Sequence, residues 1–178
     1  MRELETDRLI LRKYTKDDVE PFYNNVGSDF EVTKYVMWNK HENISATKEL
    51  IDKWILDYEK GDTFRWAVVL KSDGNLIGNI DCVKVDIKNK TCEIGYVYGS
   101  KFWGCGYATE AFKKVIDYLM NEVGIYTVYA EHLGLNPASG EVMKKCGMTY
   151  EGTLKNRVID KTTGVYDNLV CYSISKGK

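Results

Sequence analysis

Residues 93–111 read E-I-G-Y-V-Y-G-S-K-F-W-G-C-G-Y-A-T-E-A (Glu93 to Ala111), and the order strand, glycine loop, helix inside that stretch decides the fold. Glu93 to Tyr98 is rich in aromatic and β-branched residues and predicts a strand. Small residues and aromatics follow, and a helix opens at about Tyr107. The first turn of a helix leaves its N–H groups without intrahelical partners, and the aligned peptide dipoles gather there about half a positive charge. Gly104 and Gly106 carry no β-carbon to hold a ligand off the backbone. The amides of Gly104, Cys105, Gly106, Tyr107, Ala108 and Thr109 therefore form an anion seat, and the expected ligand carries phosphate.

Upstream, the pattern predicts a first strand over Arg8 to Tyr14 and a helix from Thr15, with Asp18 completing a capping box and Val19, Phe22, Tyr23 and Val26 on its apolar stripe. Asp29 to Glu42 reads as irregular. Its Tyr35-Val36-Met37-Trp38 cluster fits core packing and a substrate-facing wall equally. A second helix follows, capped by Ser45 and stopped by Gly61. Strands over Phe64 to Lys71, Leu76 to Lys84 and Thr91 to Tyr98 are joined by links too short for crossovers, so they form an antiparallel meander.

Downstream, the helix after the glycine loop runs to about Glu122. A strand over Thr127 to His132, a helix over Asn136 to Cys146, and a hairpin of Met148 to Val158 with Val165 to Ser175 complete the chain. The length, 178 residues, fits one domain over 1–178.

Net charge is −1, which is no electrostatic footprint for nucleic acid. No apolar run approaches the ~20 residues of a membrane span, and the charged N-terminus M-R-E-L-E-T-D-R predicts a cytoplasmic protein. Cys82, Cys92, Cys105, Cys146 and Cys171 are odd in number and never spaced C-x-x-C, so they read as reduced thiols. With His41 and His132 alone to join them, no metal site is expected.

The glycine loop between the fourth strand and third helix of this β-α-α-β-β-β-α-β-α-β-β order resembles the GNAT superfamily of acyl-CoA-dependent N-acetyltransferases. The phrases F-W-G-C-G-Y-A-T-E-A, N-P-A-S-G-E-V-M-K-K-C-G-M and Y-E-G-T-L-K-N-R resemble its ribosomal-protein N-terminal (alanine) acetyltransferase branch. The resemblance implies an α+β fold in three layers: a mostly antiparallel seven-stranded sheet, about four helices, and a splay between strands four and five. It also implies acetyl-CoA as cosubstrate and a protein or peptide N-terminus as acceptor. Small amines such as polyamines, amino acids or aminoglycosides are the alternative, and a non-catalytic acyl-CoA-binding module is another. Monomer and homodimer stay open.

Residue by residue, the loop amides would hold the coenzyme pyrophosphate. Tyr96, Val97 and Tyr98 would pair with the pantetheine arm as an added strand does, and a backbone N–H near Val97 or Tyr98 would polarise the thioester carbonyl. Lys101 stands where the family has glutamine or arginine, and Gly140 where it often has arginine. Glu93 is the candidate general base and His132 its rival. Ser139 is the candidate acid as well as a coenzyme contact, with Asn136 beside it. Met143 occupies the position of the family's usual acidic tyrosine. Cys105 could act as a nucleophile, although direct transfer needs none. Trp38, Trp54, Asn156, Arg157 and Tyr166 are candidates for the acceptor side. A polyamine pocket would need acids clustered near Glu93, and the local sequence has no such cluster.

A dinucleotide reading of G-x-G-x-x-T, with Glu131 on the ribose, fails on spacing. A Rossmann loop follows its strand at once, whereas Gly99 to Trp103 intervene here.

Overall fold

The computed structural model describes residues 1–177. Its strands are β1 (Leu4–Glu5), β2 (Leu9–Arg12), β3 (Arg65–Leu70), β4 (Leu76–Asp86), β5 (Thr91–Tyr98), β6 (Thr127–Leu133), β7 (Thr149–Ile159) and β8 (Tyr166–Ser175). Its α-helices are α1 (Val19–Phe22), α2 (Phe30–Thr33), α3 (Ile44–Asp57), α4 (Tyr107–Tyr118) and α5 (Pro137–Lys145). The strands form one sheet of order β1-β2-β3-β4-β5-β6-β8-β7. Every recorded pairing is antiparallel except β5 with β6, which is parallel. This is the mixed α/β architecture expected, with eight strands in place of seven. The added strand, Leu4–Glu5, is too short to show a period.

By contact density the described residues fall into two compact units: Met1–Cys82 with Tyr96–Lys114, and Val83–Gly95 with Val115 onward. In the first unit, Thr15 N–H donates to Asp18 Oδ2 at 2.7 Å, and Arg12 grips both oxygens of that carboxylate at 2.7 and 2.8 Å. The chain then turns through α1 into a wider π turn (Tyr23–Gly27) that buries Val26 and Gly27. The helix expected to begin at Ser45 is capped instead by Asn43, which is extended (φ −150°) and whose side chain accepts from Ala46 N–H at 3.2 Å. Asn and Ser are both good caps, and only backbone geometry separates them. The irregular stretch after Asp29 contains α2, with Asp29 as its cap.

The helical face of this unit packs Tyr14, Phe22, Val26, Val32 and Ile51 against Ala67, Val69 and Leu76. Trp38 and Trp54 pack against that cluster, whereas Met37 is 81% exposed. Trp54 also lies 4.9 Å from the Tyr14 ring and beneath the Arg65 guanidinium at 4.7 Å. Their placement gives both tryptophans a packing role.

In the second unit β6 is the spine. It pairs with β5 only over Thr91–Glu93 against Thr127–Tyr129, while its pairing with β8 continues to Leu133. β7 forms the outer edge, and its register against β8 slips between Tyr150 and Gly152 and again between Leu154 and Val158. Asn156, inside the second slip, takes φ 54° and donates its N–H to Asn168 Oδ1.

Gly99, at the end of β5, has φ −54°, which any residue adopts. Space demands glycine there, because a β-carbon would lie 2.1 Å from the Asn25 carbonyl oxygen. Gly99→Ala should therefore lose about 1–3 kcal/mol by overpacking. Urea denaturation read by tryptophan fluorescence measures the loss, and a midpoint equal to wild type would refute the steric account.

Candidate functional site

In the first unit the glycine loop has the backbone turn that an anion cradle requires. Gly104 and Gly106 take φ of 75° and 81°, the left-handed conformation that in alternation with right-handed residues turns successive N–H groups inward. A β-carbon at Gly104 would meet nothing within 4 Å, so the approach to the backbone is open. Tyr107, Ala108 and Thr109 form the first turn of α4, and Cys105 and Gly106 are exposed just ahead of it. These residues fit a pyrophosphate. Lys101 Nζ donates to Asn25 Oδ1 at 2.8 Å, and Ser100 N–H to Asp29 Oδ2 at 2.9 Å, which ties the loop's approach to the first helical segment.

In the neighbouring strand end, one edge faces β4. Gly99 N–H donates to Ile77 O on β4 at 3.0 Å. Main-chain groups of successive residues alternate between the two edges of an antiparallel strand, so Val97 faces β4 with Gly99. Tyr96 and Tyr98 turn the other way. The Tyr98 carbonyl accepts from Trp103 Nε1–H at 2.7 Å. Of the two positions expected to polarise a thioester, Tyr98 is the one whose main-chain groups face away from β4. The Tyr96 ring lies 5.3 Å from Phe112 of α4.

In the second unit the carboxylates gather. Glu93 pairs in register with Tyr129, and alternation along β6 puts Glu131 on the same face as Tyr129. Glu131 pairs with Cys171 on β8, whose Sγ lies 3.6 Å from Glu131 Oε1. Two residues along β8, Ser173 donates to Glu151 of β7. One sheet face thus carries Glu93, Tyr129, Glu131 and Cys171. Burial first, and then the Glu131 charge, push the Glu93 carboxyl above its ordinary value, against the opposing effects of Lys84 and a hydrogen bond from Tyr129. An acid cluster absent from the local sequence is assembled by strand pairing.

His132 lies on the opposite face of β6. Its Nδ1 is 2.7 Å from the Leu133 carbonyl, its ring stacks on Tyr172 at 5.8 Å, and its Nε2 abuts α5 where a β-carbon on Gly140 would stand 2.5 Å away. This explains the missing family arginine at position 140, because the histidine occupies the space. It also separates the rival bases, with Glu93 on the acidic face and His132 packed under α5.

At the start of α5, Asn136 caps the helix and its Oδ1 accepts from Ser139 N–H at 3.4 Å, with Pro137 in the first position. Ser139 is partly exposed there, whereas Met143 is 1% exposed. Cys105 is exposed, with its Sγ 3.6 Å from the Trp103 carbonyl. Among the described residues no cluster of three or more His, Cys, Asp or Glu could hold a metal, and no helix is long and apolar enough to cross a membrane.

A family model for the acetyltransferase (GNAT) domain matches residues 8–149. The uncharacterized N-acetyltransferase YoaA of Bacillus subtilis (strain 168) is 33% identical over 173 residues, spanning 97% of this chain and 96% of that protein. A crystal structure of a GNAT-family acetyltransferase from Bacillus anthracis superposes with a TM-score of 0.85 at 26% identity, covering 99% of both chains. The chain therefore belongs to the GNAT acetyltransferase family, enzymes that take their acetyl group from acetyl-CoA. Two more distant relatives differ in acceptor. The putative ribosomal N-acetyltransferase YdaF of B. subtilis (strain 168) is 27% identical over 154 residues, 76% of this chain and 83% of its own. The spermidine N(1)-acetyltransferase of Vibrio cholerae serotype O1 is 23% identical over 147 residues, 83% of this chain and 82% of its own.

Two outcomes follow from the second unit. Removing the like charge in Glu131→Gln favours the ionised form of Glu93, so the rising limb of the kcat/KM pH profile should move to lower pH. Lys84→Met should move it to higher pH. A limb unmoved by either change would take Glu93 out of the base role. Separately, Gly140→Ala should cost about 1–3 kcal/mol against His132, and His132→Ala should relieve most of that loss in the double variant. Additive thermal-denaturation losses would mean the two residues do not collide.

Proposed function

We propose that this enzyme acetylates a protein or peptide N-terminus by direct attack of the amine on the thioester, with Glu93 as general base. The observation that carries the mechanism is the position of Glu93: mid-sheet, partly buried, its proton affinity raised by burial and by Glu131. An amine arriving as ammonium must lose a proton before it can attack, and a carboxylate with raised pKa is better matched to that task than an exposed one. The N-terminal acceptor is supported by the three motif phrases shared with the ribosomal-protein branch and by the ribosomal relative.

Bound acetyl-CoA supplies the activated acetyl group. The chain's own residues do the rest. Amides from Gly104 to Thr109 hold the pyrophosphate, and the Tyr96 and Tyr98 edge aligns the pantetheine arm. The Tyr98 N–H stabilises charge developing on the carbonyl oxygen. Glu93 accepts the amine proton, and Ser139, fixed by the Asn136 cap, hydrogen-bonds the departing sulfur.

A second reading, acetylation of a polyamine or another small cationic amine, is favoured by one observation: Glu93 and Glu131 lie on the adjacent strands β5 and β6, with Glu151 on β7 beyond β8, and together they suit a substrate with more than one positive charge. It agrees with the spermidine relative.

Acetyl-CoA should raise the melting temperature of the wild type. Gly106→Val, which forces a branched side chain into φ 81° and into the approach of the phosphate, should abolish that rise. No stabilisation of the wild type would overturn the coenzyme assignment. Ser139→Ala should lower kcat more than it weakens coenzyme binding, and equal losses would leave it a contact only. The acceptor is decided by acetyl-CoA consumption across N-terminal peptides, ribosomal proteins, polyamines and amino acids. The N-terminal reading predicts turnover on peptides with a free α-amine, and turnover confined to polyamines would replace it with the second.

A further inference from the structure

The glycine loop is held from outside by a residue far away in sequence. Between β1 and β2 the chain places Thr6 and Arg8 against Glu110 in the first turns of α4. Thr6 Oγ1 and Arg8 N–H donate to Glu110 Oε1 at 2.5 and 3.0 Å, and Arg8 Nε and Nη2 reach Oε2 at 2.7 and 2.6 Å. The remaining arm of the guanidinium, Nη1, donates to the Cys105 carbonyl at 3.0 Å, and the guanidinium carbon lies 4.4 Å over the Tyr107 ring. A β-carbon on Gly106 would stand 3.5 Å from Arg8 Nη2. Arg8 thus borders the loop on two residues and grips a third.

The grip has a geometric consequence. In a trans peptide the C=O and the following N–H point in opposite directions. Holding the Cys105 carbonyl on the Arg8 side therefore directs the Gly106 N–H to the other side. In a cradle for an anion the carbonyls have to face away, because one reversed peptide replaces a donor with a repelling oxygen. The Arg8 side chain is 48% exposed, and an ion pair so open to solvent contributes little to stability. Lysine could not serve alike, since it lacks the planar fork that binds the carboxylate and the carbonyl at once.

We propose that Arg8, braced by Glu110 and Thr6, is a positioning residue for coenzyme binding: it locks the Cys105–Gly106 peptide so that the Gly106 N–H meets the pyrophosphate. The inference rests on the reading of the glycine loop as the pyrophosphate seat.

Calorimetric titration with coenzyme A, alongside turnover with S-acetylpantetheine, which has no pyrophosphate, tests it. Loss of a hydrogen bond that orients a donor toward a charged ligand predicts about tenfold or more weaker coenzyme A binding for Arg8→Ala. Arg8→Lys should be nearly as weak, and Glu110→Gln should fall between wild type and Arg8→Ala. Turnover with S-acetylpantetheine should be unchanged in all three. Equal losses with both ligands would make Arg8 a fold residue and overturn the proposal. Wild-type affinity in Arg8→Lys would overturn the peptide lock in favour of charge alone. If Arg8→Ala does not fold, Arg8→Lys and Glu110→Gln give the same comparison. A wild type that fails to bind coenzyme A would overturn the pyrophosphate reading itself, whereas a wild type that binds and an Arg8→Ala that binds equally would overturn only the role of Arg8.

Discussion

A turn proposed to offer its N–H groups to an anion has to find other places for its carbonyls, and on that reading the requirement reaches well beyond the turn. Gly104 and Gly106 meet the local part by adopting left-handed backbone angles. The Cys105 carbonyl is met by Arg8, which in turn needs Glu110 and Thr6 to hold its plane. A helix, a hairpin and a loop are thereby joined through a single guanidinium. The short β1 strand is part of the same arrangement, because its pairing with β2 sets the turn that carries Thr6 and Arg8.

A second constraint is the two-residue period of a strand. Along β6 it sends Tyr129 and Glu131 to one face and Ala130 and His132 to the other, so two ionisable residues adjacent in sequence enter different chemistry. Glu131 joins Glu93 and Cys171, where burial and like charge act on a carboxylate. His132 is packed against Gly140 and Tyr172. A histidine near a candidate base invites the same assignment, and here its contacts describe a wedge against α5.

Much of the scaffold is readable from the residues because local signals and tertiary packing agree. Thr91 and Tyr98 are the bounds of β5 as the pattern gives them, Tyr107 opens α4, and Gly61 and Gly124 end helical segments with positive φ. The misses share a cause. A two-residue strand has no period, Asn43 and Ser45 compete as equally good caps, and α2 is a single turn inside an aromatic cluster. The glycine loop and Glu93 can be put forward as candidates from sequence because each sits in a contiguous motif. Arg8 and Glu131 could not, since Arg8 meets a loop 97 residues away and Glu131 becomes a neighbour of Glu93 only through the parallel register of β5 and β6. Charge clusters made by strand pairing leave no trace in a linear window.

The two slips in β7 bear on how the molecule behaves in a crowded solution. An outer strand with a regular row of unpaired amides and carbonyls is a template for the edge of any other sheet. β7 is interrupted at Tyr150/Gly152 and Leu154/Val158, is twisted through a left-handed Asn156, and carries Lys155 and Arg157 on either side of that residue. No long uninterrupted run of this edge is available for a foreign strand to extend. The same irregularity that bends the hairpin therefore acts as protection against edge-to-edge aggregation, leaving the exposed apolar side chains of Leu154, Ile159 and Tyr166 without a regular backbone ladder to recruit partners.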